Sequence, residues 1–496
     1  MAKKKTVKAA ETVVEEKALL DDLFEKVDME VPAGPDLESA GGRMSHALNQ
    51  MIHALVGTGE AVDHIDKTLI DGMISEIDIK ISAQVDEVMH HEDFQRMESA
   101  WRGLKFLIDR TNFRRNTKIE ILNVSKEDLA ADFEDVPEPY QSGLFNQVYK
   151  QEYDTPGGEP IAAMIANYEF DNHPQDIALL GNVSKIAAGC HAPFIGSIGH
   201  KFLGLKSIDD VPQLPDVAPL FETPEFTKWR AFRDTEDSRY VGLTLPRFLL
   251  RLPYGADTKP AKTFNYSERV SGEDHDKYLW GNASFSFASC LTRSFADHGW
   301  CVNIRGPQSG GVVEDLPLHL YDAAGDTVTK IPTEVTMTDR REFEFAQQGF
   351  IPFSFYKNRD YACFFSADSC QKPKKYIDDD STANSRLSAR LPYLFLVSRL
   401  SHYLKVIQRE NIGAAKEKED LQIELEKWLN QYVTEDKSPS VAAKAKYPLS
   451  SAQLKVTDIA DNPGFYNVEL LVRPHFQVEG IDVALSLVSR LPKGKK

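Results

Sequence analysis

The chain has 496 residues, 42% hydrophobic and 27% charged, which is enough for two or three domains and ordinary for a soluble globular protein. Its 58 lysines and arginines against 75 aspartates and glutamates give a formal net charge of −17. That excludes a nucleic-acid coat, which needs a basic footprint, and requires local charge complementarity wherever many copies pack together. The cysteines are Cys190, Cys290, Cys301, Cys363 and Cys370, with no C-x-x-C pair. They read as buried thiols in a reducing compartment. There is no apolar run of membrane-spanning length.

Residues 1–40 read as a flexible arm. Lys3–Lys5 and Lys8 come first, but Glu11, Glu15 and Glu16 interrupt any apolar h-region, so no secretory signal is expected and the chain should be cytoplasmic. Glu15–Val27 places Leu20, Leu23, Phe24 and Val27 on one helical face, and Val31–Pro35 then breaks the helix. This short amphipathic helix either folds back on the body or serves as a groove-binding peptide for a partner.

Residues 41–130 read as a helical region: Arg43–Val56, Val62–Ile81 and Val85–Ile108. In the third stretch Val85, Met89, Phe94, Met97, Trp101, Leu104 and Ile108 form an apolar stripe, while Glu92, Arg96, Glu98 and Arg102 form a charged side with acid four before base. A helix with a tryptophan on its stripe needs something large to pack on. Lys118–Val124 (KIEILNV) alternates and predicts a strand.

Residues 131–235 read as an α/β domain, with a strand at Ile161–Tyr168, a helix at Asp176–Cys190 and a strand at Phe194–Ile198. Residues 236–390 read as a second α/β domain. It holds Leu243–Gly255 (LTLPRFLLRLPYG), a helix and strand over Ala288–Ile304, and a glycine loop at Gly306–Asp315. A strand at Pro332–Thr338, a helix at Asp339–Gly349 and a strand at Tyr361–Ala367 follow. Residues 391–496 begin with helices at Leu391–Ile407 and Lys416–Tyr432. Two alternating strands, Tyr466–Val472 and Ile481–Leu487, then predict an antiparallel β-hairpin. Such a hairpin either closes its own domain or offers an edge to another chain.

No catalytic constellation stands out. His91-Glu92 is followed by Gln95 where a zincin needs a second histidine, so no metal site is expected there. There is no G-x-x-x-x-G-K-[ST] loop, and Ser309 lacks the preceding glycine of a nucleophile elbow. Asp378–Asp380 reads as a solvated acidic loop. The expectation is no cofactor, no metal and no enzyme activity. A hydrolase-like cytoplasmic enzyme of unknown class, working from the Gly306–Gly311 loop, stays open as the alternative.

Three stretches carry a family resemblance: HHEDFQRMESAWRGLKFL at His90–Leu107, LTLPRFLLRLPYG at Leu243–Gly255 and SARLPYLFLVSRLSHYLK at Ser388–Lys405. In this order they resemble the large subunit of the type VI secretion contractile sheath, the TssC/VipB family, from about Asp21 to Leu491. The resemblance implies a mixed α/β, multi-domain fold of the contractile-tail-sheath kind. It implies a structural subunit in an obligate complex with the small sheath subunit. The complex would polymerise as a helical tube around an inner tube of hexameric rings, start at baseplate proteins, and contract to propel the inner tube toward a target cell. Neither nucleic acid nor direct membrane insertion is implied. Leu19, Leu20, Leu23 and Phe24 would form the handle gripped by a Hsp100-class AAA+ unfoldase. Phe94, Met97, Trp101 and Leu104 would pack near the small subunit. Strand exchange between subunits would use Val468, Leu470, Val472, Ile481, Val483 and Leu485. In the 391–496 stretch, the helices and hairpin would complete the inner core domain.

Overall fold

The helical period at Val85–Ile108 is carried by two helices rather than one, α1 (Lys67–Met89) and α2 (Glu92–Asp109). The break falls at His90-His91 because His91 adopts extended backbone and its side chain accepts the Asp93 N–H, capping α2. Glu92 and Asp93 in the first turn add favourable charge at the positive helix end. The computed structural model describes residues 67–477, apart from residues 263, 324, 415, 435, 437, 460–465 and 476. The chain divides into two compact units, Met1–Glu76 and Ile77–Lys496; of the first, only residues 67–76 at the start of α1 are described.

Further along the chain come β1 (Met164–Phe170), α3 (Pro174–Cys190), β2 (Phe194–Ile198), β3 (Val241–Leu245), β4 (Phe248–Leu249) and β5 (Trp280–Gly281). They are followed by α4 (Ala283–His298), β6 (Val312–Val313), the hairpin β7 (His319–Ala323) and β8 (Asp326–Lys330), α5 (Asp339–Gln347), β9 (Ile351–Phe355) and β10 (Ala362–Phe364). The last elements are α6 (Leu391–Asn411), α7 (Lys418–Asn430), β11 (Leu449–Asp458) and β12 (Tyr466–Pro474).

A six-stranded sheet in the order β1-β2-β3-β9-β10-β6 organises this unit. The pairings β1–β2, β2–β3 and β3–β9 are parallel, and β10 is antiparallel to both β9 and β6. All five residues of β2 are buried, which is why FIGSI is almost without polar side chains. Phe194 and Ile198 join α3 residues Leu180, Val183 and Ala187 in one apolar cluster. Ile195 points the other way, into a cluster with Phe287 of α4 and Leu391 and Phe395 of α6. The sheet is therefore sandwiched between helices, the arrangement expected of alternating strands and helices. Strands on either side of residue 235 share it.

A third cluster lies at the C-terminal end. Trp300, Leu396, Leu400, Leu425 and Leu429 pack against Leu454 and Val456 of β11, with Leu470 and Val472 of β12 half-buried beside them.

Besides the strand expected at the end of Ala288–Ile304, which is irregular once α4 ends at His298, two predicted strands do not form. Pro332–Thr338 makes only an isolated bridge between Thr333 and Phe248. Lys118–Val124 runs outside any helix or strand. The neighbouring edge of β1 explains the second case. β1 bulges between Ile165 and Glu169, where its carbonyls turn toward side chains. Ser284 Oγ donates to Ala166 O at 2.8 Å, Asn282 Nδ2 to Tyr168 O at 3.1 Å and Lys126 Nζ to Glu169 O at 3.2 Å. Those acceptors are no longer free for a backbone ladder.

His402, in the interior of α6, donates from Nε2 to Cys190 O at 2.9 Å, and its Nδ1 is buried without a partner. Burial outweighs that hydrogen bond and lowers its pKa to about 4, with Arg399 and His191 adding to the effect. The unfolded chain thus takes up this proton first. The contribution is intact above pH 6.5 and is lost as pH falls toward 4, by about 3 kcal/mol. His402→Gln keeps an N–H donor but cannot titrate. Its unfolding free energy should fall less steeply than wild type between pH 6.5 and 4 in urea titrations, and identical slopes would contradict the assignment.

Candidate assembly faces

Chemistry dictates that the apolar side of a helix faces the core, and α2 departs from this. Its close approach to α4 is made through Gly103, where an added Cβ would lie 2.5 Å from the Phe285 ring. Leu107 packs with Phe285 and Ala288, and Leu104 and Ile119 join that small cluster. Phe106 meets Phe248 with ring centroids 4.9 Å apart.

The rest of the inner side is polar. Glu98 accepts from Arg102 Nε at 2.6 Å and from Arg251 Nε at 2.9 Å. Arg251 Nη1 donates to Glu268 Oε2 at 2.7 Å, and Glu268 also accepts the Tyr254 N–H at 2.8 Å. His90 Nε2 lies 3.1 Å from Glu268 Oε1. Tyr266 Oη donates to Asp86 Oδ1 at 2.7 Å, and Ser99 Oγ to Trp280 O at 2.7 Å. Burial alone would raise the Glu268 carboxyl, but Arg251, the Tyr254 N–H and His90 outweigh it and hold its pKa below the usual glutamate value. Nearby, burial also opposes ionisation of Glu334. Arg247 and His275 overcome it and bring that carboxyl down to about 2. Residues 247–282 are thus clasped to α2 by charge and to the end of α1 by the Tyr266–Asp86 hydrogen bond.

Consequently part of the apolar stripe, at Met97, Trp101 and Ile108, faces outward. Trp101 is 67% exposed and Met97 53%, and Ile108 and Phe113 are also exposed. Phe94 and Leu104 are half-buried. Trp101 alone leaves about 150 Å² open, roughly 4 kcal/mol of unrealised burial. On α1, Ile77, Ile81 and Val88 lie along one face and are exposed too.

The second face is the C-terminal sheet. β12 pairs antiparallel with β11, setting Val468 against Val456, Leu470 against Leu454 and Val472 against Ala452. Its opposite edge has no strand partner among the described residues. Val468 and Leu471 are exposed. Beyond β12, Gln477 anchors the chain: its N–H donates to Tyr393 Oη at 3.1 Å and its amide accepts from Arg305 Nε at 2.8 Å. Ile481, Val483 and Leu485 lie outside the described residues, as do Leu19, Leu20, Leu23 and Phe24. Sequence reasoning missed β11, although its Leu454-x-Val456 alternation mirrors that of β12.

The features that invite chemistry have structural duties. Gly306 and Gly310 take positive φ, and the Gly311 and Ser309 N–H groups both donate to Gly306 O. Arg293 Nη2 donates to Gly310 O at 2.7 Å. The loop is thereby closed on itself through the Ser309 and Gly311 N–H groups. A small polar hollow beside it is lined by Arg293, Asp297, His298 and Ser309, yet no hydrogen bond joins Ser309 to His298 among the described residues. His91 caps α2, and Asp378 caps the helix Asp379–Ser388. The five cysteines are free, and burial pushes the thiols of Cys190 and Cys301 up to about 12. Among the described residues, no cluster of three or more His, Cys, Asp or Glu could hold a metal ion. No helix there is long and apolar enough to cross a membrane.

Comparison with known proteins points the same way. The family model described as EvpB/VC_A0108, tail sheath N-terminal domain, matches residues 71–371. The EvpB/VC_A0108 tail sheath gpW/gp25-like domain matches residues 380–491. The type VI secretion system sheath protein TssC1 of Pseudomonas aeruginosa is 44% identical over 467 residues, covering 93% of this chain and 94% of the relative. Among solved structures, the anti-feeding prophage baseplate aligns with 64% of this chain and 66% of its own at 11% identity and a TM-score of 0.36. The contracted PVC sheath complex of an extracellular contractile injection system aligns with 62% of this chain and 68% of its own, at 10% identity and 0.35. Structural likeness at that level does not bear on this chain's function.

The ionic clasp generates a test. Glu268→Leu leaves Arg251 short of a partner and the Tyr254 N–H unsatisfied in a buried setting. Urea unfolding should show a loss of about 3 kcal/mol. A loss below about 1 kcal/mol would mean that the clasp does not hold α2 in place.

Proposed function

The chain belongs to the EvpB/VC_A0108 tail sheath family, and on that premise we propose how its exposed faces build the sheath. It is a structural subunit of the type VI secretion contractile sheath, one that polymerises and partners a small sheath subunit. In our reading the outer face of α2, with Met97 and Trp101 at its centre and Phe94 and Leu104 at its borders, packs against the small subunit. The observation that carries this is the two-thirds exposure of Trp101 on a helix that turns Glu98 and Arg102 inward instead. A wide, rigid aromatic anchor of this kind is what an obligate interface buries.

The outer edge of β12, with Val468, Leu470 and Val472, exchanges strands with a neighbouring copy, assisted by Ile481, Val483 and Leu485. Backbone ladders keep neighbours tethered while rigid bodies shift, so each subunit can gain contacts on contraction and many small gains sum to a large push. The tube encloses the hexameric inner tube and grows from baseplate proteins in the cytoplasm. Leu19, Leu20, Leu23 and Phe24 are the handle for a Hsp100-class AAA+ unfoldase.

Two experiments address these assignments. Met97→Ser combined with Trp101→Ser removes exposed side chains only, so the melting temperature should stay within a few degrees of wild type while affinity for the small subunit falls at least about tenfold. Undiminished co-purification and normal tubes in negative stain would remove α2 from this role. Replacing Leu20, Leu23 and Phe24 by serine should leave tubes intact but slow ATP-dependent disassembly of contracted sheaths by the unfoldase; unchanged disassembly would remove those residues from the handle.

A further inference from the structure

Lys118–Val124 has the composition of a strand, and no strand accompanies it. Ile119 docks beside Leu107 and Phe285, and Val124 packs against the main core cluster. Tyr168 Oη donates to Val124 O at 2.6 Å, fixing the far end. Between these anchors, none of its backbone groups makes a backbone–backbone hydrogen bond among the described residues. Ile121 is 66% exposed and Leu122 54%. At its start the Thr117 hydroxyl is buried with no hydrogen-bond partner. The segment is thus held in place with its β-forming residues and its donors and acceptors on offer, the condition under which a protein edge captures another strand.

We propose that Lys118–Val124 is an open β-edge that takes an extended segment of the small sheath subunit as an added strand. The proposal rests on the reading that the small subunit packs on α2. Continuity favours that occupant: only residues 110–117 separate the segment from α2, and exposed Ile108 and Phe113 carry the apolar surface across the gap. Charge narrows the chemistry. Arg114 and Arg115 are exposed beside the segment, without an ion pair among the described residues, in a chain of net charge −17. The incoming strand is therefore apolar at alternate positions and acidic where it passes the two arginines.

Hydrogen exchange on the full-length chain, alone and in complex with the small subunit, reads the ladder directly. Amides of Lys118–Val124 should exchange at least about tenfold more slowly in the complex. Equal rates overturn the proposal, and protection that appears with polymerisation but not with the small subunit assigns the edge to a second copy and overturns it as well. Proline substitution gives an independent arm that needs no free subunit. Ile121→Pro and Leu122→Pro break no internal backbone bond, so folding should survive. The variant whose N–H faces the added strand should lower co-purification at least about tenfold, while Ile121→Val and Leu122→Val retain it. If both proline variants bind as wild type, the edge is not used. Loss with either proline variant but not with the paired Met97 and Trp101 serine substitutions would separate a working edge from a failed α2 interface, and the reverse would do the opposite.

Discussion

The structure depends on the way α2 is turned. A helix with one charged and one apolar side normally buries the apolar one, because that removes oily surface from water. Here Glu98, Arg102 and their partners Arg251 and Glu268 occupy the inner side, and Trp101 and Met97 the outer. The inner side tolerates its charges only because each has a partner at hydrogen-bonding distance, as an unpaired charge there would be costly. Gly103 allows the backbone of α2 to come close to Phe285 of α4. In the proposed reading the outer side is covered by another chain.

The remainder of the unit supplies stiffness. A sheet buried on both faces and packed at organic-crystal density does not deform gradually. The described edges differ in how they are managed. At β1 the carbonyls are covered by Ser284, Asn282 and Lys126. The outer edge of β12 has no strand partner among the described residues, and in Lys118–Val124 the Val124 carbonyl is covered by Tyr168 while the backbone before it makes no backbone–backbone hydrogen bond there. In the proposed reading the uncovered edges are where neighbours attach.

Much of this was legible in the sequence wherever one local force dominates. β2 appeared at its exact limits because five consecutive small and apolar residues flanked by turns admit little else. α3, α5, α6 and α7 followed from helical spacing, within four residues at each end. Members of the mixed α/β class announce themselves in this way. The stripe on α2 was correctly located too. Its orientation was not, because spacing reports that two faces differ and not which one meets the body; that depended on Arg251 and Glu268, more than 150 positions away. The same limit applies to Lys118–Val124, whose propensity is real but whose ladder requires a partner that the sequence alone does not identify. β9 was missed because IPFSF begins beside a proline and follows directly on a helix, which masks a short central strand. Residues placed in the arm and the final strand, Phe24 and Ile481 among them, lie outside the described region.

The central claim is that the exposed side of α2 is covered in the assembled sheath by the small subunit. A photo-crosslinking amino acid introduced at position 101, irradiated in intact sheaths, tests it most directly. The account predicts a covalent adduct with the small subunit in high yield, together with protection of that position from a soluble labelling reagent. Position 101 labelled freely in assembled sheaths, with no adduct to the small subunit, would contradict it.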